Sequence, residues 1–175
     1  MKSTTSSFSF FIICLCLISY AVNPASCLNL YEIVCSETGP DSHACLDLLK
    51  GDYKIVAATN YHDLSTFILD LAIFQAIAFQ GYIEDVANHF THDKAIRQCA
   101  DEFYIKIIAL FKTALGELEN NPQNSKNDVQ SAGNGATNCE KAIRNEREFN
   151  PNIHAQNNQM FLLSEIAFFS INHLT

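Results

Sequence analysis

YHDLSTFILDLAIFQAIAFQGYIEDVANHF, residues 61–90, is the stretch whose period settles the fold class. Leu64, Ile68, Leu71, Ala78, Tyr82 and Val86 recur at three- and four-residue steps, the spacing of one face of an α-helix. Asp63 stands where it could cap the start. From Phe67 to Phe79 the apolar residues run nearly all round the helix, interrupted mainly by Asp70 and Gln75. That predicts a helix covered by neighbours on several sides, the central member of a bundle rather than a membrane span.

Outward from this stretch the same period returns. Between Asp93 and Glu119 the residues Ile96, Cys99, Phe103, Ile107, Leu110 and Ala114 form one stripe, widened by Tyr104, Ile108, Phe111 and Leu115. Asn120-Asn121-Pro122 ends it, because proline cannot continue a helix and restricts the residue before it. The segment 126–147 has helical ends, but Gly133 and Gly135 each cost about 1 kcal/mol relative to alanine in a helix interior. The expectation is a kinked, partly frayed helix, or two pieces split by a loop from Ser131 to Asn138. After a connection rich in Pro and Asn, FNPNIHAQNN, a last helix runs from Gln156 to His173, with Met160, Leu163, Ala167, Ser170, Ile171 and Leu174 on one side. Upstream, LDLLKGD reads as a short helical turn ending at Gly51. Four main helices with short connections and no strand-like alternation predict an all-α antiparallel four-helix bundle.

The N-terminus has a different grammar. Lys2 and a Ser/Thr patch precede an apolar run from Phe8 to Tyr20, a break at Asn23-Pro24, and the small residues Ala25-Ser26-Cys27. This is the order of a secretory signal peptide. The run, about 13 residues, falls short of the roughly 20 that a spanning helix needs. The expected division is a signal peptide over residues 1–27 and one domain over 28–175, secreted and free of the membrane after cleavage. Cleavage removes Lys2 and no acid, so the formal charge moves from −8 to −9. No block of Lys and Arg rises from that background, which argues against nucleic acid and anionic lipid as partners.

Cysteine parity follows from the same cut. Cys14, Cys16 and Cys27 leave with the signal peptide, while Cys35, Cys45, Cys99 and Cys139 stay. Four cysteines in a secreted chain read as two disulfides, with three connectivities that spacing does not separate. No C-x-x-C, H-E-x-x-H or G-x-S-x-G motif is present, and Gly133-Asn134-Gly135 lacks the third glycine and preceding strand of a phosphate loop. His89 and His92, three residues apart, lack a third ligand and read as a polar helix end. No catalytic residue, metal or cofactor is expected.

The four cysteines in their settings, CSETGPDSHAC from Cys35 to Cys45, IRQCADEFYIKIIALF around Cys99 and DVQSAGNGATNCEKAI around Cys139, together with the terminal FLLSEIAFFSINHL, resemble the plant invertase inhibitor and pectin methylesterase inhibitor family over residues 28–175. The resemblance implies a four-helix bundle preceded by a short N-terminal helical hairpin, with bonds from Cys35 to Cys45 and from Cys99 to Cys139. It also implies a secreted, non-catalytic inhibitor that covers the active-site cleft of a cell-wall enzyme one to one, in the apoplast or vacuole. Two departures stand out: Ser131-Ala132-Gly133-Asn134 where the family has the more helix-friendly S-A-A-L, and Asn150-Pro151-Asn152-Ile153 in place of the Pro-Lys-Phe motif of some invertase inhibitors.

Absence of that motif favours pectin methylesterase as partner over invertase, while LLSEIAFFSI leans toward invertase. Loops on a rigid scaffold often carry recognition, so Phe149, Asn150, Pro151, Asn152, Ile153 and His154 are the expected target contacts, with His154 adding a pH term. A small-ligand carrier or structural, allergen-like bundle is the reading from another class. The carrier needs an apolar cavity among Phe67, Phe74, Phe103 and Phe111.

Overall fold

The computed structural model describes residues 28–89, 94–146 and 150–175. Two short helices open it, α1 (Leu30–Glu37) and α2 (Ser42–Leu49), joined by a single 3₁₀ turn at Gly39–Asp41. Gly39 sits at φ 61°, the left-handed conformation that glycine adopts without strain. At the start of α1 the Asn29 amide donates to Glu32 Oε2 at 2.8 Å, the Glu half of a capping box. A one-turn helix, α3 (Tyr53–Val56), leads to α4 (Tyr61–His89). Then come α5 (Lys94–Gln98), a six-residue π-helical stretch (Cys99–Tyr104), α6 (Ile105–Glu117), α7 (Pro122–Asn145) and α8 (Pro151–Asn172). No strand occurs among the described residues.

The bundle has four members: α4, the run from α5 through α6, α7 and α8. Each packs on its chain neighbours, and α8 closes the ring against α4, the order of an antiparallel up-and-down bundle. The α1–α2 hairpin rests on α8, with α1 also reaching α4. Its bond, Cys35–Cys45, closes a separation of 10 residues with Cα atoms 5.4 Å apart; Cys99–Cys139 closes 40 residues at 5.1 Å. On the chain-entropy model such closures stabilise by about 2.7 and about 4 kcal/mol respectively.

Several boundaries differ from the sequence reading, for one recurring reason. Asn-Pro opens helices here. Asn121 Oδ1 accepts from the Asn124 amide at 3.2 Å, with Pro122 in the first helical position. Asn150 does the same for the amides of Asn152 and Ile153, at 3.1 and 3.2 Å, ahead of Pro151. The N-cap asparagine accepts from orphan amides of the first turn, and the proline after it has no backbone N–H to leave unpaired. The last helix therefore begins at Pro151 and not Gln156. Likewise Asn60 caps α4, its Oδ1 accepting from the Asp63 amide at 2.8 Å, with Asp63 returning a side-chain contact at 2.7 Å.

α7 is one continuous helix through Gly133 and Gly135, with no loop from Ser131 to Asn138. Both glycines mark close approaches. A Cβ on Gly133 would fall 2.1 Å from Ser164 Oγ and 3.0 Å from Ser164 Cβ, and one on Gly135 would fall 2.7 Å from Ile107 Cγ1. The helix loses intrinsic propensity there and gains proximity to α8 and α6.

On α4 the buried stripe is Leu64, Ile68, Ala72, Ala76, Phe79, Ile83 and Ala87, rotated from the predicted one: Leu71, Tyr82 and Val86 are half-buried and Ala78 is exposed. Nor is α4 covered all round, since Phe74 is 68% and Ile77 48% exposed. By length and composition it is the one described helix that could cross a membrane; here it packs on α6 and α8. The other stripes fall closer to expectation: Ile96, Cys99, Ile107 and Ala114, and on α8 Met160, Leu163, Ala167, Ser170 and Ile171, are buried, while Phe103, Leu110 and Leu174 are half-buried.

Candidate functional site

The first turn of α8 holds most of the residues expected to meet a target. Phe149 lies outside the described residues. Asn150 is the cap, Pro151 and Asn152 are exposed, and Asn152 Nδ2 donates to Tyr82 Oη of α4 at 3.3 Å. Ile153 corrects the expectation of an irregular, outward-facing loop, because it is a helical residue with no exposure at all. His154, half-buried, lies with Nδ1 2.8 Å from Glu140 Oε1 of α7.

Glu140 is the centre of a network that the sequence reading did not anticipate. Its Oε1 also accepts from Arg144 Nε at 2.7 Å, and its Oε2 from Asn157 Nδ2 at 3.2 Å. Asn157, 2% exposed, turns its Oδ1 to the Tyr104 hydroxyl, which donates at 2.7 Å. The same Asn157 amide nitrogen lies 3.4 Å from Cys139 Sγ. Three bundle members are thus tied together beside the Cys99–Cys139 bond. The π-helical stretch contributes at one end of it, placing both Cys99 and Tyr104 toward the interior.

The electrostatics follow from these contacts. Burial works to raise the Glu140 carboxyl, but hydrogen bonds from Arg144, Asn157 and His154 outweigh it and hold the group below its ordinary range. Burial pushes the Tyr104 phenol well above its usual range, with the Glu140 charge adding to the effect, so it serves as a neutral donor. With both oxygens of Glu140 engaged, the network fixes α8 on α7. It is an orienting device.

A signal for part of it was present. Asn157 falls on the α8 stripe between Ile153 and Met160, and a polar residue in core register needs a partner. Beside the network a pocket of about 300 Å³ is lined by Thr137, Glu140, Lys141, Arg144, Asn158 and Phe161 among others. Among the described residues no group of three metal-ligating side chains occurs. His89 Nδ1 faces the Asp85 carbonyl at 2.7 Å; His92 is outside the described residues. Phe67, Phe74, Phe103 and Phe111 do not line one cavity, since Phe111 is fully buried while Phe74 faces outward.

No family model matches the chain, and no curated protein matches it by sequence. Solved structures do. A mutant form of a pectin methylesterase inhibitor from Arabidopsis superposes with a TM-score of 0.72 at 19% identity, over 83% of this chain and 97% of that one. A pectin methylesterase inhibitor from Arabidopsis thaliana gives 0.62 at 20% identity, over 83% and 95%. The hairpin on a four-helix ring that this sequence builds is therefore the fold of the pectin methylesterase inhibitors.

Proposed function

We propose that the protein is a secreted, non-catalytic inhibitor of pectin methylesterase, matured by loss of residues 1–27 and acting outside the cell on the enzyme's active-site cleft in a one-to-one complex. The observation that carries this reading is the likeness to two pectin methylesterase inhibitor structures across nearly their whole length. The ordered cysteine motifs support the inhibitor family as a whole, and the missing Pro-Lys-Phe segment favours pectin methylesterase within it, against the invertase-like LLSEIAFFSI. A stapled bundle suits the task, because little conformational entropy is lost when a stiff surface docks.

Pro151 and Asn152 are the exposed residues retained from the expected contact set, with Asn150 and His154 behind them in partial cover. Titrating oxidised protein against pectin methylesterase and invertase tests the proposal. The expected outcome is stoichiometric inhibition of the first at one to one. Inhibition of invertase alone would move the target to that enzyme, and inhibition of neither would remove the proposal.

A further inference from the structure

Phe161 is 40% exposed in the middle of α8, and three hollows meet on it. The largest, about 710 Å³, lies between α8 and the hairpin helix α2. Its walls are Ala44 and Leu48 from α2 and Phe161 and Leu162 from α8, with Asp41 and Asp47 on the hairpin side. A second hollow, on the α7 side of Phe161, is lined by Gln130 and Asn134 of α7 and by Glu165, Phe168 and Phe169 of α8, so Glu165 stands on α8 one turn beyond Phe161. An apolar floor of this extent beside a large exposed aromatic side chain has the make-up of a binding groove.

The charges along it are unequal. Asp47 is paired with Lys50. Asp41 and Glu165 have no cationic partner among the described residues; burial raises the Glu165 carboxyl and the nearby Asp41 charge raises it further. Two carboxylates without an ion-pair partner beside an apolar floor favour a bound cation. Anionic lipid and nucleic-acid phosphate meet the wrong sign of charge. A metal ion lacks a third ligand.

We propose that the groove between α2 and α8 docks a cationic segment of a partner protein, its aromatic or aliphatic side chain against Leu48, Phe161 and Leu162 and its adjacent Lys or Arg at Asp41 and Glu165. This surface is separate from the first turn of α8 and stands independently of the inhibitor reading.

The test is a titration of the oxidised, isotope-labelled protein with three peptides, acetyl-Lys-Phe-Lys-amide, acetyl-Glu-Phe-Glu-amide and acetyl-Lys-Ser-Lys-amide, followed by amide NMR shifts. The first should give saturable changes centred on Ala44, Leu48, Phe161 and Leu162, and the other two should bind about tenfold more weakly or not at all. The double variant Asp41→Asn/Glu165→Gln should weaken the first peptide about fivefold to tenfold while retaining cooperative unfolding. No shift at millimolar peptide, equal binding of the acidic peptide, or full binding by the double variant would overturn the proposal. So would a concentration-dependent dimer in sedimentation that shifts the same residues, since a second copy would then be the occupant.

Discussion

α4 and α7 invert the usual relation between composition and burial. α4 is apolar enough by composition to cross a membrane, yet it turns Phe74 and Ile77 outward. α7 is rich in Asn, Ser and Gly, yet it buries Val129, Ala132, Gly133, Ala136, Cys139 and Ile143 without a gap in helical register. What decides burial is the size of the residue at each contact and its angular position, not the hydropathy of the helix as a whole. Small residues let α7 approach α6 and α8 closely, and α4 packs through a stripe that is only part of its apolar surface.

The largest effect should come from testing the two faces of α4. Ile83→Ala removes a fully buried side chain and should cost about 2–5 kcal/mol in chemical denaturation. Phe74→Ala, on the outer face, should stay within about 0.5 kcal/mol of the parent. If the two cost the same, the outer face is covered in solution.

Glycine substitutions set the helices directly against each other. Gly133→Ala drives a Cβ into Ser164 and should destabilise by about 1–3 kcal/mol, despite the gain in helix propensity. Gly81→Ala on α4 meets nothing within 4 Å and should stabilise by about 0.5–1 kcal/mol. A Ser164→Gly background should recover part of the Gly133→Ala loss, a non-additivity that double-mutant analysis of denaturation midpoints would read.

Smaller effects should appear in pH profiles of the melting temperature. The Glu140 carboxyl is held below its ordinary range, so its contribution is present above the unfolded-state pKa and is lost as pH falls through the folded one. Glu140→Gln should therefore melt lower than the parent at pH 7, with the difference closing below about pH 4. The Glu165 carboxyl is raised, so its contribution is complete below the unfolded-state pKa and is lost as pH rises through the folded one. Glu165→Gln should melt higher at pH 7 and converge on the parent in acid. Parallel profiles for the two variants would contradict these opposite signs.

Much of the architecture was legible in the sequence because it rests on spacing. Most of the stripes on α6 and α8 could be read from the sequence, since their apolar positions repeat at helical steps, although Leu110 and Leu174 end up at the half-buried margin. α4 resisted, because a helix apolar on every side leaves its inward direction unspecified until the neighbours are placed. α7 resisted for the opposite reason, as Gly133 and Gly135 carry a propensity cost whose compensation lies on two other helices. The starts of α7 and α8 were within reach, since Asn-Pro has the chemistry of a cap followed by a first helical residue. At the candidate site, Asn157 announced itself by falling in core register, whereas its convergence with Tyr104 and Glu140 spans 53 and 17 residues of separation and needed the fold.

The two disulfides also divide the chain into covalent territories. The Cys99–Cys139 bond brackets the exposed turn at residues 119–121, so a protease that nicked there would leave both fragments on one framework and a single band without reductant. Past Cys139 there is no further cysteine. The last helix, which carries the capped first turn and the groove around Phe161, belongs to neither loop and is held to the bundle by noncovalent contacts alone, its packing and the Glu140–Asn157 network. A single cut between α7 and α8 would turn the helix that carries both proposed contact surfaces into a separable peptide.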